Sequence, residues 1–561
     1  MKKFLLVLSL FIFIQSGFTQ FTWSTRFINI GALPHYDFVS YSSANSISEV
    51  IDGKINLAFM SAPAGQPVNY PGLNVKYFYT EDTGNTWIDL GFINALKNGH
   101  PFVRSIPNEG SLELSLTNAV PSTGAFNKMS VLYDVCPACT SYTYTYPPNR
   151  NLIYAKSVAT TQSTYHTIVA QSPTSDSIYT CRYNMNSSQG TDWQYIGRAP
   201  KEAFIIARGS TKTGIAFIGN SDNQSDNKCV YLIESTNEGV NFSAPLKIYQ
   251  SDVSGGGFAA HRGISMVYQN DNALITFDAA KYNSASDSYD IKAPAKIMFW
   301  CAGLAGIDPN KSIAIADSTK IPIPPKDSIK TGTDDEYPVL SRPVMGTIDI
   351  YPFSFIVFQA VTQHWGGTPP DTANYKALYV VIDLWNLYFL NPIKVTPENP
   401  LRDWSYPGIS PSFNWQSSVS PGELVIDLCA LCDSIPGTRV ITGSNTNCNP
   451  YMYFIRAKYL VPAVKKLGDL IPASFILQQN YPNPFNPSTK IKFAVPNVHN
   501  ESVSIKIYDA LGKELETLVD KVISQGWYEV DFDGSRYPSG VYFYKLQCGS
   551  YTETKKMILV K

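Results

Sequence analysis

The sequence predicts an all-β protein in two parts: a long repetitive array of short strands, then a small separate sandwich. Three observations predict it. Among 561 residues, 13% are aromatic, with 35 Tyr, 29 Phe, 38 Pro and 36 Gly, a composition of short strands and frequent turns rather than helices. A turn-like octapeptide, TEDTGNTW at residues 80–87, returns in weakened form further along. The texture of the chain then changes near Leu467, where strands alternating polar and apolar residues are punctuated by Gly and Pro. A chain of this length is also too long for a single core, so at least two domains are expected.

Charge and the N-terminus set the compartment. With 44 basic against 45 acidic residues no net field gathers polyanions, which excludes nucleic acid as an expected partner. Lys2 and Lys3 precede an apolar run over residues 4–14, followed by the small residues of QSGFTQ. This pattern predicts a secretory signal peptide over residues 1–19, cleaved near Thr19. The run is too short to span a bilayer. The first cysteine is Cys136, so no N-terminal lipid is expected. The mature chain is therefore read as exported, with no transmembrane segment.

The repeat defines the array. NSSQGTDW (residues 186–193) and STNEGVNF (residues 235–242) keep parts of the octapeptide, and Gly84, Gly190 and Gly239 lie 106 and 49 residues apart. A unit of about 50 residues is the length of one four-stranded blade of a β-propeller. Strand-like runs precede each turn: NVKYFYT, DSIYTCRY and KCVYLIE. Runs of the same character begin at Met129, Ala295, Lys376 and Tyr451. These predict a propeller over residues 20–460, with seven blades favoured and six or eight left open. The last run leaves no room for a fourth strand, and FTWSTRFINI (residues 21–30) is expected to supply it, removing the open sheet edges. Wider spacing after residue 240 calls for insertions, for which residues 281–295 and 321–327 are suited.

Residues 461–474 read as a linker. C-terminal to it, Val503, Ile505 and Ile507 alternate with polar residues, and about 90 residues are enough for a small immunoglobulin-like β-sandwich. NYPNPFNPST (residues 480–489), IYDALGKEL (507–515), SGVYFYKL (539–546) and KKMILVK at the end come in order. With these motifs, residues 475–561 closely resemble the type A C-terminal sorting domain of cargo of the bacterial type IX secretion system. The residues carrying the resemblance are Asn480, Tyr481, Pro482, Asn483, Pro484, Phe485, Asn486, Pro487, Gly540, Val541 and Tyr542. The resemblance implies an address read by the secretion machinery at the outer membrane, with the cargo then secreted or held at the cell surface.

The octapeptide itself resembles the Asp box of sialidases and of many propellers without catalysis. Thr80, Asp82, Gly84, Thr86 and Trp87 match it fully, Gly190 and Trp193 in part, and Ser235, Asn237, Gly239 and Phe242 with Asn in place of Asp. Asp82 and Thr86 are expected to bond their own loop, Gly84 to take a backbone shape that larger residues resist, and Trp87 to pack between sheets. That is a structural turn on the outer rim. A sialidase would grip a carboxylate with three arginines, the first in an Arg-Ile-Pro motif. Here Arg26 is the only arginine before Trp87, and the motif is absent. Arg104, Arg208, Arg262, Arg342 and Arg402 remain as arginines that a funnel can bring together.

No hydrolase elbow, zinc-protease helix, phosphate loop or dinucleotide turn is present, and no cofactor or metal is expected. GGGFAAHRG (residues 255–263) reads as a flexible loop in which His261 and Arg262 can contact a ligand. Cys136 and Cys139, Cys429 and Cys432, and nearby Cys448 favour disulfides in an exported protein, a four-thiolate zinc site being the alternative. Cys181, Cys229 and Cys301 stand at similar places in their strands and read as buried thiols. The sequence thus predicts an exported binding or adhesion module for glycan or protein. The alternative is a sialidase-like or other propeller glycoside hydrolase.

Overall fold

The computed structural model describes residues 23–32, 46–61, 74–93, 98–105, 112–119, 126–134, 142–145, 147, 151–159, 165–184, 186–187, 189–219, 228–253, 257–302, 311–329, 337–347, 353–364, 374–384, 387, 389–397, 402–411, 415–416, 422–433, 451–461, 464–468, 474–496, 502–522 and 526–561. Residues 1–19 lie outside them, as do Cys136, Cys139 and Cys448. The chain forms two compact units, one built on Thr25–Asn414 with Ile426–Arg456, the other on Ala457–Lys561.

In the first unit, antiparallel sheets follow one another along the chain, each a meander of strands in sequence order. The first sheet is Ile55–Ser61, Asn74–Thr80 and Ile88–Phe92, preceded by a bridge from Ile47 to Leu57. The second is Asn98–Ser105, Leu112–Ala119, Phe126–Asp134 and Tyr142–Thr145. The third runs Ile153–Ala159, Tyr165–Gln171, Ser177–Asn184 and Gln194–Arg198. The fourth is Phe204–Arg208, Thr213–Gly219, Cys229–Ser235 and Leu246–Tyr249. The fifth has long members, Phe258–Gln269, Asn272–Asn283 and Ser288–Cys301, before Ile313–Asp317. The sixth is Leu340–Thr347, Phe353–His364, Asn374–Leu384 and Ile393–Lys394. In the last, Asp403–Ile409, Gly422–Asp433 and Tyr451–Val461 are joined by the N-terminal Trp23–Ala32.

From the second sheet on, each opening strand touches the opening strand of the next sheet, so these strands stand side by side about a common axis. The array also closes. Ile47, Leu57 and Phe78 of the first sheet share one buried cluster with Tyr406, Leu431 and Phe454 of the last. Sequential four-stranded sheets with a closing N-terminal strand make a β-propeller. Six of the seven strand-like runs picked out in the sequence fall on third strands of their sheets and NVKYFYT falls on the middle of three, and most of these strands are buried on both faces and read as nearly continuous apolar runs.

Two expectations fail here. Residues 281–295 are no irregular insertion. Lys281, Tyr282 and Asn283 pair with Asp290, Tyr289 and Ser288, carrying the hairpin beyond the regular sheet after a register shift. The predicted disulfides involving Cys429 and Cys432 are also absent, since both are free, buried thiols in one strand. Residues three apart on a strand point to opposite faces and are separated by about 10 Å, too far for a bond between them. Burial pushes both thiols up to about 12. Cys181, Cys229 and Cys301 are buried as well.

The second unit has two four-stranded sheets. One orders Val464–Gly468, Gly526–Asp533, Ser488–Val495 and Ile476–Leu477. The other orders Glu514–Val522, Ser502–Tyr508, Gly540–Cys548 and Tyr551–Leu559. Val503, Ile505 and Ile507 meet Phe493, Val530 and Phe532 in a common core. Val464–Gly468, inside the stretch read as a linker, is an edge strand of the first of these sheets.

Candidate functional site

The rim turns and the centre of the propeller carry different chemistry. At the rim, Thr80 Oγ1 donates to Asp82 Oδ1 at 2.7 Å and accepts from the Gly84 amide at 3.1 Å. Asp82 Oδ1 also accepts the amides of Asn85 and Thr86, each at 2.9 Å, and Oδ2 accepts Thr86 Oγ1 at 2.6 Å. The turn of the fourth sheet repeats this with other residues. Ser235 Oγ donates to Asn237 Oδ1 at 2.8 Å and accepts the Gly239 amide at 2.9 Å. Gly84 and Gly239 share a φ of 82°.

Both glycines also face the preceding sheet around the ring. A Cβ on Gly84 would stand 2.3 Å from the Phe454 ring, and one on Gly239 would stand 2.2 Å from Thr167 Oγ1. Trp87 donates Nε1–H to the Gly84 carbonyl at 3.2 Å, and its ring lies 5.1 Å from Phe454. Phe242 is half-buried against the core. These turns clamp sheet to sheet. The segment at residues 186–193 differs from them: Gly190 is extended and pairs with Tyr183, while Asn184 Oδ1 accepts the amides of Asn186 and Ser187. Its first position is an amide where the other turns have a hydroxyl, and its third is a serine where they have Asp or Asn, so this stretch continues the ladder instead. Trp193 packs on the core cluster of its sheet.

The centre is built from breaks in the opening strands. Register shifts fall at His100–Pro101, at Tyr154, at His261–Gly263, at Arg342–Pro343 and at Tyr406–Pro407. The fourth sheet instead has a 3-10 turn, Pro200–Glu202, ahead of its opening strand. Backbone φ is positive at His100 (51°), Tyr154 (56°), Glu202 (68°), Arg342 (53°) and Tyr406 (56°). Each such residue with a side chain costs on the order of 1–3 kcal/mol. A bulge re-aims its side chain off the pleat. His261 and Arg262, expected in a loop, thus lie in a strand bulge, and residues 255 and 256 of that stretch are outside those described.

The re-aimed side chains make contacts in local groups. His100 Nδ1 is 3.7 Å from Glu202 Oε2, and Lys156 Nζ is 3.6 Å from Glu202 Oε1. The His100 ring sits edge-on to Tyr154 at 4.6 Å, and His261 edge-on to Tyr289 at 4.7 Å. The Arg342 guanidinium stacks over Tyr337 at 3.9 Å and over Tyr406 at 4.3 Å. Tyr154, Arg262, Tyr289 and Tyr337 are half-buried, above a buried floor of His100, Glu202, His261, Arg342 and Tyr406. Burial pushes the Glu202 carboxyl up, but Lys156, His100 and Arg342 more than offset it and hold the group below its ordinary value. Burial lowers the Lys156 ammonium, with Glu202 opposing.

Asp278 works differently. Its Oδ1 accepts the amides of Arg262 at 3.0 Å and Gly263 at 2.8 Å, and Oδ2 accepts the Arg342 amide at 3.1 Å. Burial pushes its carboxyl up to about 6 against those donors. Two of the arginines named in the sequence are engaged within the array. Arg104 pairs with Glu49 at 3.3 Å and donates to the Ile206 carbonyl, and Arg208 donates to the Ala159 carbonyl at 2.8 Å.

Sequence reasoning reached His261, Arg262 and Arg342 and missed His100, Tyr154, Lys156, Glu202 and Tyr406. A signal existed: GHPFV, SRPVM and SYPGI place a large polar residue before proline at the same point of three opening strands.

In the second unit, the sorting motif folds its own domain. Asn480 donates Nδ2–H to Thr489 Oγ1 at 3.0 Å, and its amide donates to Tyr544 Oη at 2.8 Å. Asn483 Oδ1 accepts the Ile558 amide at 2.9 Å, and Phe485 is buried beside Phe532. Tyr542 donates its hydroxyl to the Pro538 carbonyl at 2.7 Å. Pro482, Pro484, Asn486, Pro487 and above all Tyr481, 80% exposed, face outward. Gly540 and Val541 open the strand that carries Tyr542.

Residues 479–561 match the family of secretion system C-terminal sorting domains. They are a sorting domain of type IX secretion, which implies secretion or attachment at the cell surface and engagement with the secretion machinery. No curated protein matches the chain. Among solved structures, the β-propeller domain of the Trilobed protease from Pyrococcus furiosus is 9% identical, with 74% of this chain and 94% of that chain covered and a TM-score of 0.37. Oligogalacturonate lyase from Vibrio parahaemolyticus is 9% identical over 79% of this chain and 97% of that one, with a TM-score of 0.36. A family 43 arabinoxylan arabinofuranohydrolase from Bacillus subtilis, in complex with cellotetraose, is 9% identical over 92% and 95%, with a TM-score of 0.28. Among the described residues no helix is long and apolar enough to cross a membrane.

Proposed function

We propose that this chain is a secreted or cell-surface binding module whose propeller takes a neutral saccharide at its centre. The observation that carries the reading is that five positive-φ residues, His100, Tyr154, Glu202, Arg342 and Tyr406, stand in or just ahead of the opening strands of five sheets, with His100 beside Tyr154 and Glu202, and Arg342 beside Tyr406. Backbone cost placed at the same point of several opening strands, on residues with side chains that bond or stack, favours a site over a scaffold. Tyrosine and histidine rings offer stacking faces, and the charges offer hydrogen bonds. Lys156 and Arg104 already have carboxylate neighbours, Glu202 and Glu49, and the Arg342 guanidinium stacks on Tyr337 and Tyr406, which suits a ligand without a charge of its own.

The wider reading has the sheets as seven blades, the turns at residues 80–87 and 235–242 as Asp boxes, residues 1–19 as a signal peptide and 461–474 as a connection between domains. Residues 475–561 are read as a type A sorting domain of immunoglobulin-like build. Purified full-length protein on an array of neutral, sialylated and uronate glycans tests the site. Binding to neutral members, lost in Tyr406→Ala, is expected; silence across the array, or selection of acidic members alone, overturns it. Deleting residues 467–561 is expected to abolish export, and unchanged export would sink the sorting assignment.

A second reading, glycoside hydrolysis, has one observation in its favour: Glu202 and Asp278 are buried carboxyls pushed in opposite directions, as acid and base pairs are. The Asp278 oxygens are turned toward bulge amides, which places it below the binding reading. Turnover of fluorogenic glycosides, abolished by Glu202→Gln, would reverse that order.

A further inference from the structure

The bulges share a second feature, which lies in the neighbouring sheet. Gln171, on the second strand of the third sheet, accepts the Glu202 amide on Oε1 at 3.0 Å and donates to the Ala199 carbonyl at 2.7 Å. Asp278, on the second strand of the fifth, accepts the Arg342 amide of the sixth at 3.1 Å. Gln359, on the second strand of the sixth, accepts the Tyr406 amide of the last at 3.2 Å and donates to Ser341 Oγ at 3.1 Å. The same step appears without a positive φ where Glu113 accepts the Ala159 amide at 3.0 Å. All four side chains are buried.

A positive-φ residue breaks the ladder, so its amide loses its in-register partner and must find another acceptor. In three sheets that acceptor comes from the preceding blade. We infer that Gln171, Asp278 and Gln359 are positioning residues that fix Glu202, Arg342 and Tyr406 in the central site from one sheet back. The inference rests on the saccharide-site reading for its purpose but not for its geometry. It makes the aim of each site residue a property of two adjacent sheets.

The geometry also explains a glycine. At Gly263 a Cβ would stand 2.6 Å from Asp278 Oδ2 and 2.8 Å from Pro343 Cδ, so a side chain there would push Asp278 away from the three amides it serves.

The test compares Gln359→Leu, which removes the acceptor, with Gln359→Glu, which keeps it, by amide hydrogen exchange of the full-length protein. Gln359→Leu is expected to raise exchange at Tyr406 at least tenfold while the third and fourth sheets stay protected, and Gln359→Glu is expected to restore protection. Equal exchange in the native and Leu proteins, or equal loss in both variants, overturns the inference. Should Gln359→Leu fail to fold, Gln171→Leu against Gln171→Glu, read at Glu202, decides it in the same way. On the glycan array, the Leu variant should lose the neutral glycan that the native protein binds and the Glu variant should regain it. If the native protein binds no glycan, the binding proposal falls while the exchange result still decides the positioning role.

Discussion

The rim turn at residues 80–87 and the central bulge at Arg342–Pro343 both contain left-handed backbone, yet they meet its cost in opposite ways. At the rim the conformation is shared between Thr83 and a glycine, and the side-chain acceptors that hold it lie within a few residues, while the Thr83 amide donates to the Gly53 carbonyl at 2.8 Å. At the centre it falls on an arginine, and its acceptor lies 64 residues away in another sheet. The difference teaches where side chains matter. A turn that only has to clamp neighbouring sheets can use glycine; a site that has to present a guanidinium beside two tyrosines cannot.

The largest expected break in this comparison is Gly84→Val. It adds a β-branched side chain at φ 82° and sets its Cβ 2.3 Å from Phe454. Backbone cost and overpacking together predict a loss of about 3–5 kcal/mol in urea unfolding. Gly91 is the control, with φ 79° and nothing within 4 Å of its Cβ position. Gly91→Ala should cost only about 1–2 kcal/mol, the backbone part. Equal losses for the two would mean that the Phe454 contact does no work.

The same contrast explains what the sequence made legible. The rim turn is local: Thr80, Asp82, Gly84 and Trp87 sit within eight residues, so both its conformation and its role can be read from the string. The third strands were equally readable because burial on both faces leaves an apolar run. The centre is assembled from one or two residues of each of several sheets, and nothing in GHPFV alone says that His100 meets a glutamate at residue 202. Its acceptors, Gln171 and Gln359, lie in apolar strands where a lone amide has no sequence signature. The segment at residues 186–193 misled for a related reason. It keeps the glycine and tryptophan of the rim turn but not the acceptor that organises it.

The next effect is pH-dependent and sharpens the central side of the comparison. Burial raises the Asp278 carboxyl from 3.8 to about 6, so the folded chain binds a proton there more tightly than the unfolded chain does. Stability contributed by this group is therefore full below about pH 4 and falls as pH rises through about 6, by on the order of 2–3 kcal/mol. Asp278→Asn should remove that slope from the stability profile measured by chemical unfolding between pH 4 and pH 7. A slope identical to that of the native protein would assign it to other groups.

A smaller effect isolates the backbone cost itself. Arg342→Ala and Arg342→Gly both remove the stacking over Tyr337 and Tyr406, but only glycine accepts φ 53° without penalty. The glycine variant should be the more stable of the two by about 1 kcal/mol, the reverse of the order found at ordinary strand positions. Melting the two side by side measures the difference directly, and a more stable alanine variant would remove strain from the account of the site.

The smallest effect belongs to the rim. Hydrogen bonds from Thr86, opposed by slight burial and aided by Thr80 and Asn85, lower the Asp82 carboxyl from 3.8 to about 2. Its contribution is therefore complete above about pH 4 and disappears as pH falls through about 2, opposite in sign to that of Asp278. Solvent around this group keeps the effect below about 1 kcal/mol. Asp82→Asn imitates the fourth sheet, where Asn237 already does the work by accepting the Asn241 amide at 2.9 Å. That variant should hold the turn with little loss at neutral pH and lose its share of the acid sensitivity. Asp82→Ala, lacking the side-chain acceptor for the amides of Asn85 and Thr86, should be the less stable of the two at pH 7 in the same melts, and parity between them would show that Thr80 and Gly84 suffice to hold the clamp.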